Sequence, residues 1–138
     1  MEPTVEQSNL ERPKSVAKAV QLLASAVAIG LLNAILTVVQ RTSGIPMLVV
    51  LLIVIAFFGL LFFLVIKISA GRNWARLVWL AWVLLLIANI SFSILAYPET
   101  VGKNVISIIL SIITMILQLI GTALLFTKNS NVWFKTSK

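Results

Sequence analysis

The chain has 138 residues, of which 60% are hydrophobic and only 11% are charged, and its net charge is +7. Soluble domains are about one-quarter charged, so this composition excludes an ordinary soluble protein. The absence of cysteine and histidine excludes a disulfide framework and histidine-ligated haem, and it leaves only carboxylates to hold zinc. We therefore expect neither a metal nor a cofactor.

Four long apolar runs account for nearly all of the chain: Ser15 to Gln40, Pro46 to Ser69, Trp74 to Tyr97 and Gly102 to Thr127. A helix needs roughly 20 apolar residues to cross a bilayer core about 30 Å thick, and every run is that long. The sequence predicts an all-α membrane protein, a single up-down four-helix transmembrane bundle over residues 1–138 with short tails at both termini.

The first run resembles a signal peptide in its basic lead-in, Arg12 and Lys14, and in small-residue triplets such as Ala24-Ser25-Ala26. Its apolar stretch is longer than that of a signal peptide, and no polar mature start follows it. We interpret it as a retained membrane span.

The connections between the runs are short and carry turn residues. Pro46 suits the first turn of the second helix. Ala70-Gly71 suits a left-handed C-cap, and Asn73 suits an N-cap of the third helix. Tyr97-Pro98 is expected to close the third helix. Short connections make neighbouring helices antiparallel.

Lysine and arginine are distributed unevenly among the segments outside the runs. Arg41 and Lys103 lie in the first and third connections, whereas the other basic residues lie in the tails, the second connection and the adjoining helix ends: Arg12, Lys14, Lys18, Lys67, Arg72, Arg76, Lys128, Lys135 and Lys138. Such an excess stays on the cytoplasmic side, so both termini are expected to be cytoplasmic. The chain lacks the interleaved aromatic and basic residues that contact bases, so nucleic acid is not an expected partner.

Aromatic residues mark the expected membrane boundaries, where half-wet rings are favoured. Trp74, Trp79 and Trp82 gather in the cytoplasmic half of the third helix, and Trp133-Phe134 follow the fourth helix. Two arrangements of the C-terminal tail are open. It either folds back onto the inner leaflet, with its lysines at anionic lipid headgroups, or is disordered.

Polar side chains within the runs fall on a few helical faces, which predicts a polar interior. In the fourth helix they recur at spacings of three and four and so share one face: Asn104, Ser107, Ser111, Thr114, Gln118 and Thr122. The first and third helices carry polar residues at matching depths. The predicted interior consists of Gln21, Ser25, Asn33, Asn89, Ser93, Ser107, Ser111, Thr114 and Gln118. The second helix is expected to be the most lipid-exposed.

Three interpretations of this polar interior are open. The first is structural, because Ser, Thr, Asn and Gln hydrogen-bond across membrane helices at about 0.6 kcal/mol on average. The second is a narrow polar path or pocket. The third is an interface between copies of the chain.

The positions of the ionisable residues exclude two functional classes. A coupled transporter usually needs an ionisable group inside the membrane, and four-helix multidrug exporters place a carboxylate in the first helix, where this chain has none. The carboxylates are Glu2, Glu6, Glu11 and Glu99, all outside the runs, so no enzyme site can be recognised. A phage holin or a membrane immunity protein is compatible with the chain, but no residue signature supports either.

Three segments resemble a family of small bacterial inner-membrane proteins with four spans and no assigned activity. They are Arg12 to Val16, Lys67 to Arg76, and Leu124 to Thr127 followed by Trp133-Phe134. The Gly-Arg-Asn-Trp-Ala-Arg stretch from Gly71 is the most specific. The resemblance implies four spans and the same orientation. The chain departs from the family at Lys128 to Asn131, where the family has a linker with proline or glycine.

The connection that carries this stretch is a candidate docking loop for lipid headgroups or a partner protein, formed by Arg72, Asn73, Trp74 and Arg76. Its arginines lie one turn apart and could hold one phosphate; the alternative is a capping turn with interfacial anchors. We expect a non-enzymatic accessory or interaction protein of the bacterial inner membrane. Anionic lipids, a second copy or another membrane protein are the expected partners. The alternative is an oligomeric channel or an uncoupled small-solute transporter.

Overall fold

The computed structural model of the protein describes residues 11–41, 44–96 and 105–136, and this part of the chain is helical without strands. Its helices are α1 (Lys14–Arg41), α2 (Ile45–Ser69), α3 (Asn73–Ala96), α4 (Val105–Leu125) and α5 (Lys128–Thr136). Helices α1 to α4 are each long and apolar enough to cross a membrane. The predicted all-α fold with four membrane spans is confirmed.

The helix ends agree closely with the predicted spans. Pro46 lies in the first turn of α2, as predicted. The predicted end of the third span at Tyr97, the Tyr97-Pro98 turn and the predicted start of the fourth span at Gly102 all lie outside the described residues.

Neighbouring helices are antiparallel, as the short connections predict. The contacts that establish this are Leu23 with Gly121 and Asn33 with Ser111 for α1 and α4, and Arg76 with Leu125 and Trp79 with Thr122 for α3 and α4. The start of α1, the α2–α3 turn and α5 therefore lie together. We call this the basic end, because it carries Arg12, Lys14, Lys18, Lys67, Arg72, Lys128 and Lys135. The opposite end is the far end.

Helix α1 packs most extensively against α4, because a glycine lies where the two helices meet. A methyl group at Gly121 would lie 2.6 Å from Leu23 Cδ2 and 3.4 Å from the carbonyl oxygen of Ala19. A methyl group at Gly30 would lie 3.0 Å from the ring of Phe58 in α2. Small residues let membrane helices approach closely, and close packing drives their association where no hydrophobic effect operates.

A glycine-capped turn joins α2 to α3. Gly71 has a φ of 77°, in the left-handed region that glycine adopts without strain. Its N–H donates to the carbonyl of Ile68 at 3.0 Å, and the N–H of Arg72 donates to the carbonyl of Lys67 at 3.1 Å. These are the two bonds of a Schellman motif, so the predicted C-cap at Ala70-Gly71 is confirmed.

The far halves of both α2 and α3 are uncovered. The buried residues of α2 all lie in the half nearer the basic end: Leu61, Leu64, Val65 and Ile68. Among the described residues of α3, none beyond Val83 is buried. We predicted that α2 would be the helix most exposed to lipid, but the far half of α3 is equally uncovered. The described buried residues of α3 end at Val83, one turn beyond Trp79, which donates to Thr122 of α4.

A short amphipathic helix, α5, follows α4, and the sequence reasoning did not predict it. The N–H of Asn131 donates to the carbonyl of Thr127 at 2.9 Å, which starts the helix. One face of α5 is buried through Ser130, Trp133 and Phe134. The tail does fold back, but its aromatic side chains pack on the protein rather than among lipid headgroups.

Gly121→Ala should destabilise the bundle, because the added methyl group overlaps Leu23 and pushes α1 away from α4. Overpacking of this kind costs about 1–3 kcal/mol, measurable as lost free energy of unfolding in mixed SDS and detergent micelles. Gly59→Ala is the matched control, since a methyl group there meets nothing within 4 Å. Equal effects of the two substitutions would contradict the close α1–α4 contact.

Candidate functional site at the basic end

Arg76, in the first turn of α3, lies at the centre of the basic end and is only 7% exposed. Its Nε donates to Asn73 Oδ1 at 2.6 Å. Its Nη1 donates to Asn131 Oδ1 at 2.7 Å and to the carbonyl of Leu125 at 3.3 Å. One guanidinium therefore joins the start of α3 to the end of α4 and to α5.

Two aromatic rings complete the surroundings of this guanidinium. Its carbon lies 4.7 Å from the ring centre of Phe134 and 5.1 Å from that of Phe126. The ring of Trp133 meets Phe134 edge-on, with the centres 5.0 Å apart. A cation over a ring face is attracted by the ring quadrupole, more strongly where water is excluded, so the buried charge is stabilised by ring faces and amide oxygens.

The carbonyl groups at the end of α4, and those just after it, receive donors from Arg76 and from the segment that follows α4. Leu124 accepts from the hydroxyls of Thr127 and Ser130, and Leu125 accepts from Arg76. Ala123 accepts from the N–H of Phe126, and Asn131 donates its side-chain amide to Phe126 and its backbone N–H to Thr127. A helix end leaves its last carbonyls without partners, and burying them unpaired is costly. The segment after α4 removes that cost.

Ser130 links α5 to α1. It is fully buried, and its hydroxyl oxygen lies 3.0 Å from that of Ser15 and 2.8 Å from that of Thr127. A cluster of three hydroxyls therefore holds the start of α5 against the first turn of α1.

Below this polar layer the side chains form an apolar core. Its fully buried members include Val16, Ile68, Trp79, Leu125 and Phe134. The indole N–H of Trp79 donates to the hydroxyl of Thr122 at 3.2 Å. Trp79, Trp133 and Phe134 thus lie within the protein, whereas the sequence analysis assigned them to the membrane boundary. Trp79 is held there by α4 through Thr122. Trp133 and Phe134 belong to the buried face of α5, which supplies an apolar surface where headgroups were expected.

The predicted docking loop divides between the surface and the interior. Arg72, Asn73 and Trp74 are exposed, whereas Arg76 is buried and its donors are used within the protein. The predicted grip of both arginines on one phosphate is not compatible with this geometry. Asn73, predicted as an N-cap, is the first residue of α3, and its side chain accepts from Arg76.

Part of the predicted polar interior meets in the far half of the bundle. Asn33 Nδ2 in α1 donates to Ser111 Oγ at 3.0 Å and to the Ser107 carbonyl at 3.5 Å in α4. Thr114 donates to a carbonyl of its own helix, and Gln118 is 5% exposed.

The other predicted interior residues lie elsewhere. Gln21 and Ser25 are exposed, because Ala19 and Leu23 form the buried face of α1 and a residue two positions along a helix points about 200° away. Asn89 of α3 is exposed, and the side chain of Ser93 lies outside the described residues. The polar contacts of α3 with α4 are instead made by Trp79, which donates to Thr122, and by Arg76, which donates to the Leu125 carbonyl.

The sequence reasoning missed several residues that organise the basic end, namely Ser15, Thr127, Ser130 and Asn131. One signal could have found them. Ser130, Trp133 and Phe134 are spaced as one face of a helix, and Thr127 precedes that segment as a helix-starting residue. A short amphipathic helix after Thr127 was therefore predictable.

The site offers hydrogen bonds, positive charge and aromatic faces. Within the described ranges, no group of three or more His, Cys, Asp or Glu residues could hold a metal ion. Comparison of the chain with protein-family models, with curated proteins and with solved structures found no match.

Arg76→Lys should release α5 while keeping the positive charge, because an ammonium cannot reach acceptors on three segments as the guanidinium fork does. Hydrogen bonds of a charged group contribute about 1.5–3 kcal/mol. A loss of about 2 kcal/mol corresponds to roughly 30-fold faster amide exchange in residues 128–136, measured by mass spectrometry. Arg72→Lys, at an exposed arginine, is the control. Unchanged exchange in Arg76→Lys would contradict this role.

Proposed function

We propose that the protein is a non-enzymatic accessory protein of the bacterial inner membrane whose basic end binds anionic lipid headgroups. The observation that carries the proposal is that the exposed and half-exposed cations lie together at one end of the bundle: Arg12, Lys14, Lys18, Lys67, Arg72, Lys128 and Lys135. Among the described residues, Glu11 is the carboxylate at this end.

Two features of the basic end support binding to headgroups. Lys67 Nζ lies 5.0 Å from the ring centre of Phe63, as expected of a lysine whose stem follows an apolar surface while its head reaches the boundary. Trp74, beside Arg72, is 48% exposed, and tryptophan favours the headgroup level. Each basic residue near an anionic leaflet contributes about 1 kcal/mol of attraction.

Orientation and compartment belong to the same proposal. The excess of lysine and arginine at the basic end supports a cytoplasmic location for that end and for both termini. The resemblance of the Gly71 to Arg76 stretch to small bacterial inner-membrane proteins supports the compartment.

Neutralising two of the cations, Arg72→Gln with Lys128→Gln, should weaken binding of phosphatidylglycerol. Two lost attractions of about 1 kcal/mol each predict roughly 30-fold lower affinity. The measurement is native mass spectrometry of detergent-purified protein titrated with phosphatidylglycerol, with phosphatidylcholine as the neutral lipid.

The matched control for this experiment is Arg72→Lys with Lys128→Arg, which keeps both charges and should bind like the natural chain. Equal phosphatidylglycerol binding by the neutralised and control variants, or equal binding of the two lipids, would refute the proposal.

An oligomeric channel or uncoupled small-solute transporter is the second candidate. The observation that favours it is the pair formed by Asn33 and the exposed Ser111 in the far half, where a polar surface would line a path if several copies assembled. A stable oligomer that conducts ions or moves solute in vesicles would favour it over the accessory role. The uncovered far halves of α2 and α3 are where a second copy or another membrane protein would pack.

A further inference from the structure

Two complementary polar atoms lie buried without a partner in the middle of the bundle. They are the side-chain oxygen Oε1 of Gln118 in α4, a hydrogen-bond acceptor, and the indole Nε1–H of Trp82 in α3, a donor. Gln118 is 5% exposed. Leaving such groups unpaired in an apolar medium costs several kcal/mol, so a partner for each is expected.

The two side chains lie at nearly the same depth. Trp79 and Thr122 hydrogen-bond across α3 and α4 and fix the register of this antiparallel pair. Trp82 lies three residues beyond Trp79, about 4.5 Å along its helix, and Gln118 lies four residues before Thr122, about 6 Å in the same direction. Residues three or four apart share a helical face. Trp82 therefore lies on the face of α3 that carries Trp79, and Gln118 lies on the face of α4 that carries Thr122, each one turn nearer the far end.

Aromatic rings of α2 border the same level. Phe57 meets Trp82 edge-on with the ring centres 5.0 Å apart, and Phe58 meets Phe57 with the centres 5.7 Å apart. Phe58 in turn lies against Gly30 of α1, beside Thr114 of α4. The indole of Trp82 is thus bordered by rings of α2, and Gln118 Oε1 is buried at nearly the same depth. A buried acceptor and a buried donor at one depth select a small group with both a donor and an acceptor.

A hydroxyl group supplies both at once. Its oxygen accepts from Trp82 Nε1–H while its proton is donated to Gln118 Oε1, and one more donor lies a turn away in the hydroxyl of Thr122, whose oxygen already accepts from Trp79. Buried waters typically make about three such bonds. We infer that Gln118 and Trp82 form an internal binding site for one hydroxyl group, either that of a water molecule or that of a small membrane-soluble alcohol.

The test uses the full chain, labelled at its tryptophan indoles with ¹⁵N, in dodecylphosphocholine micelles, where water is the source of hydroxyl groups. The nuclear Overhauser spectrum should show a cross-peak between the Trp82 indole proton and water, and Trp82→Phe identifies the resonance by removing it. The exposed Trp74 is the positive control for contact with water. Absence of the Trp82 cross-peak in the natural chain overturns the inference.

Gln118→Met is the diagnostic variant, because it keeps the side-chain length and removes the acceptor. The Trp82 cross-peak should be lost and its indole proton should shift upfield, while the Trp79 indole, held by Thr122, keeps its chemical shift as a sign of an intact bundle. Retention of the cross-peak in Gln118→Met would overturn the assignment of Gln118.

Titration with 1-butanol separates the two sources of the hydroxyl. Replacement of the water cross-peak by one to the butanol CH₂ next to the hydroxyl shows that the site accepts an alcohol. Persistence of the water cross-peak shows that it holds water. Both outcomes support a hydroxyl site.

Discussion

A single buried guanidinium, that of Arg76, holds together three segments that would otherwise separate at the basic end. Helix α4 ends at Leu125, which is fully buried, so its last carbonyls need donors from the protein. Arg76 supplies one to Leu125, and Asn131 binds both Arg76 and the Phe126 carbonyl. The end of α4, the start of α3 and α5 are therefore one hydrogen-bonded unit.

This unit explains where the aromatic residues lie. Phe126 and Phe134 lie against the guanidinium, and the buried Trp133 lies against Phe134. They cover a charge and the ends of polar backbone groups, which headgroups or water would otherwise have to solvate. The exposed cations that remain, such as Arg72 and Lys128, lie at the same end of the bundle and are the ones that we propose bind anionic lipid.

The rest of the bundle is asymmetric for a related reason. Helices α1 and α4 approach closely through Gly121 and exchange a hydrogen bond between Asn33 and Ser111, so this pair is joined along its length. Helices α2 and α3 bury side chains near the basic end and leave their far halves to the membrane. In lipid, apolar side chains gain little from burial, so the small Gly121 and the polar pair of Asn33 and Ser111 make the α1–α4 contact specific.

The sequence predicted the features that follow from local pattern. Four spans, the antiparallel order, Pro46 at the start of α2 and the Gly71 cap all follow from run length and turn chemistry. The pairing of Asn33 with Ser111 agrees with their matched depth.

The sequence could not predict how each helix is rotated about its own axis, or which side chains the aromatic rings contact. Gln21 was expected to face α4 at the depth of Gln118 and Thr122, yet α1 turns Leu23 toward α4, where Gly121 leaves room for it. From the sequence alone, Arg76 is expected to be a surface cation. In the structure α5 covers it and brings Asn131 and Phe134 into contact with its guanidinium. Such choices depend on contacts between residues about 50 or more positions apart, which no local pattern records.

The most direct test of this account is whether α5 is docked on α1. The chain has no cysteine, and the hydroxyl oxygens of Ser15 and Ser130 are 3.0 Å apart, close enough for a disulfide after little adjustment. The double variant Ser15→Cys with Ser130→Cys should oxidise within one molecule, and trypsin should then release the peptides 15–18 and 129–135 joined by that bond. Arg12→Cys with Ser130→Cys is the control. If the Ser15–Ser130 pair links no more readily than the control, α5 does not dock as described and the buried role of Arg76 is contradicted.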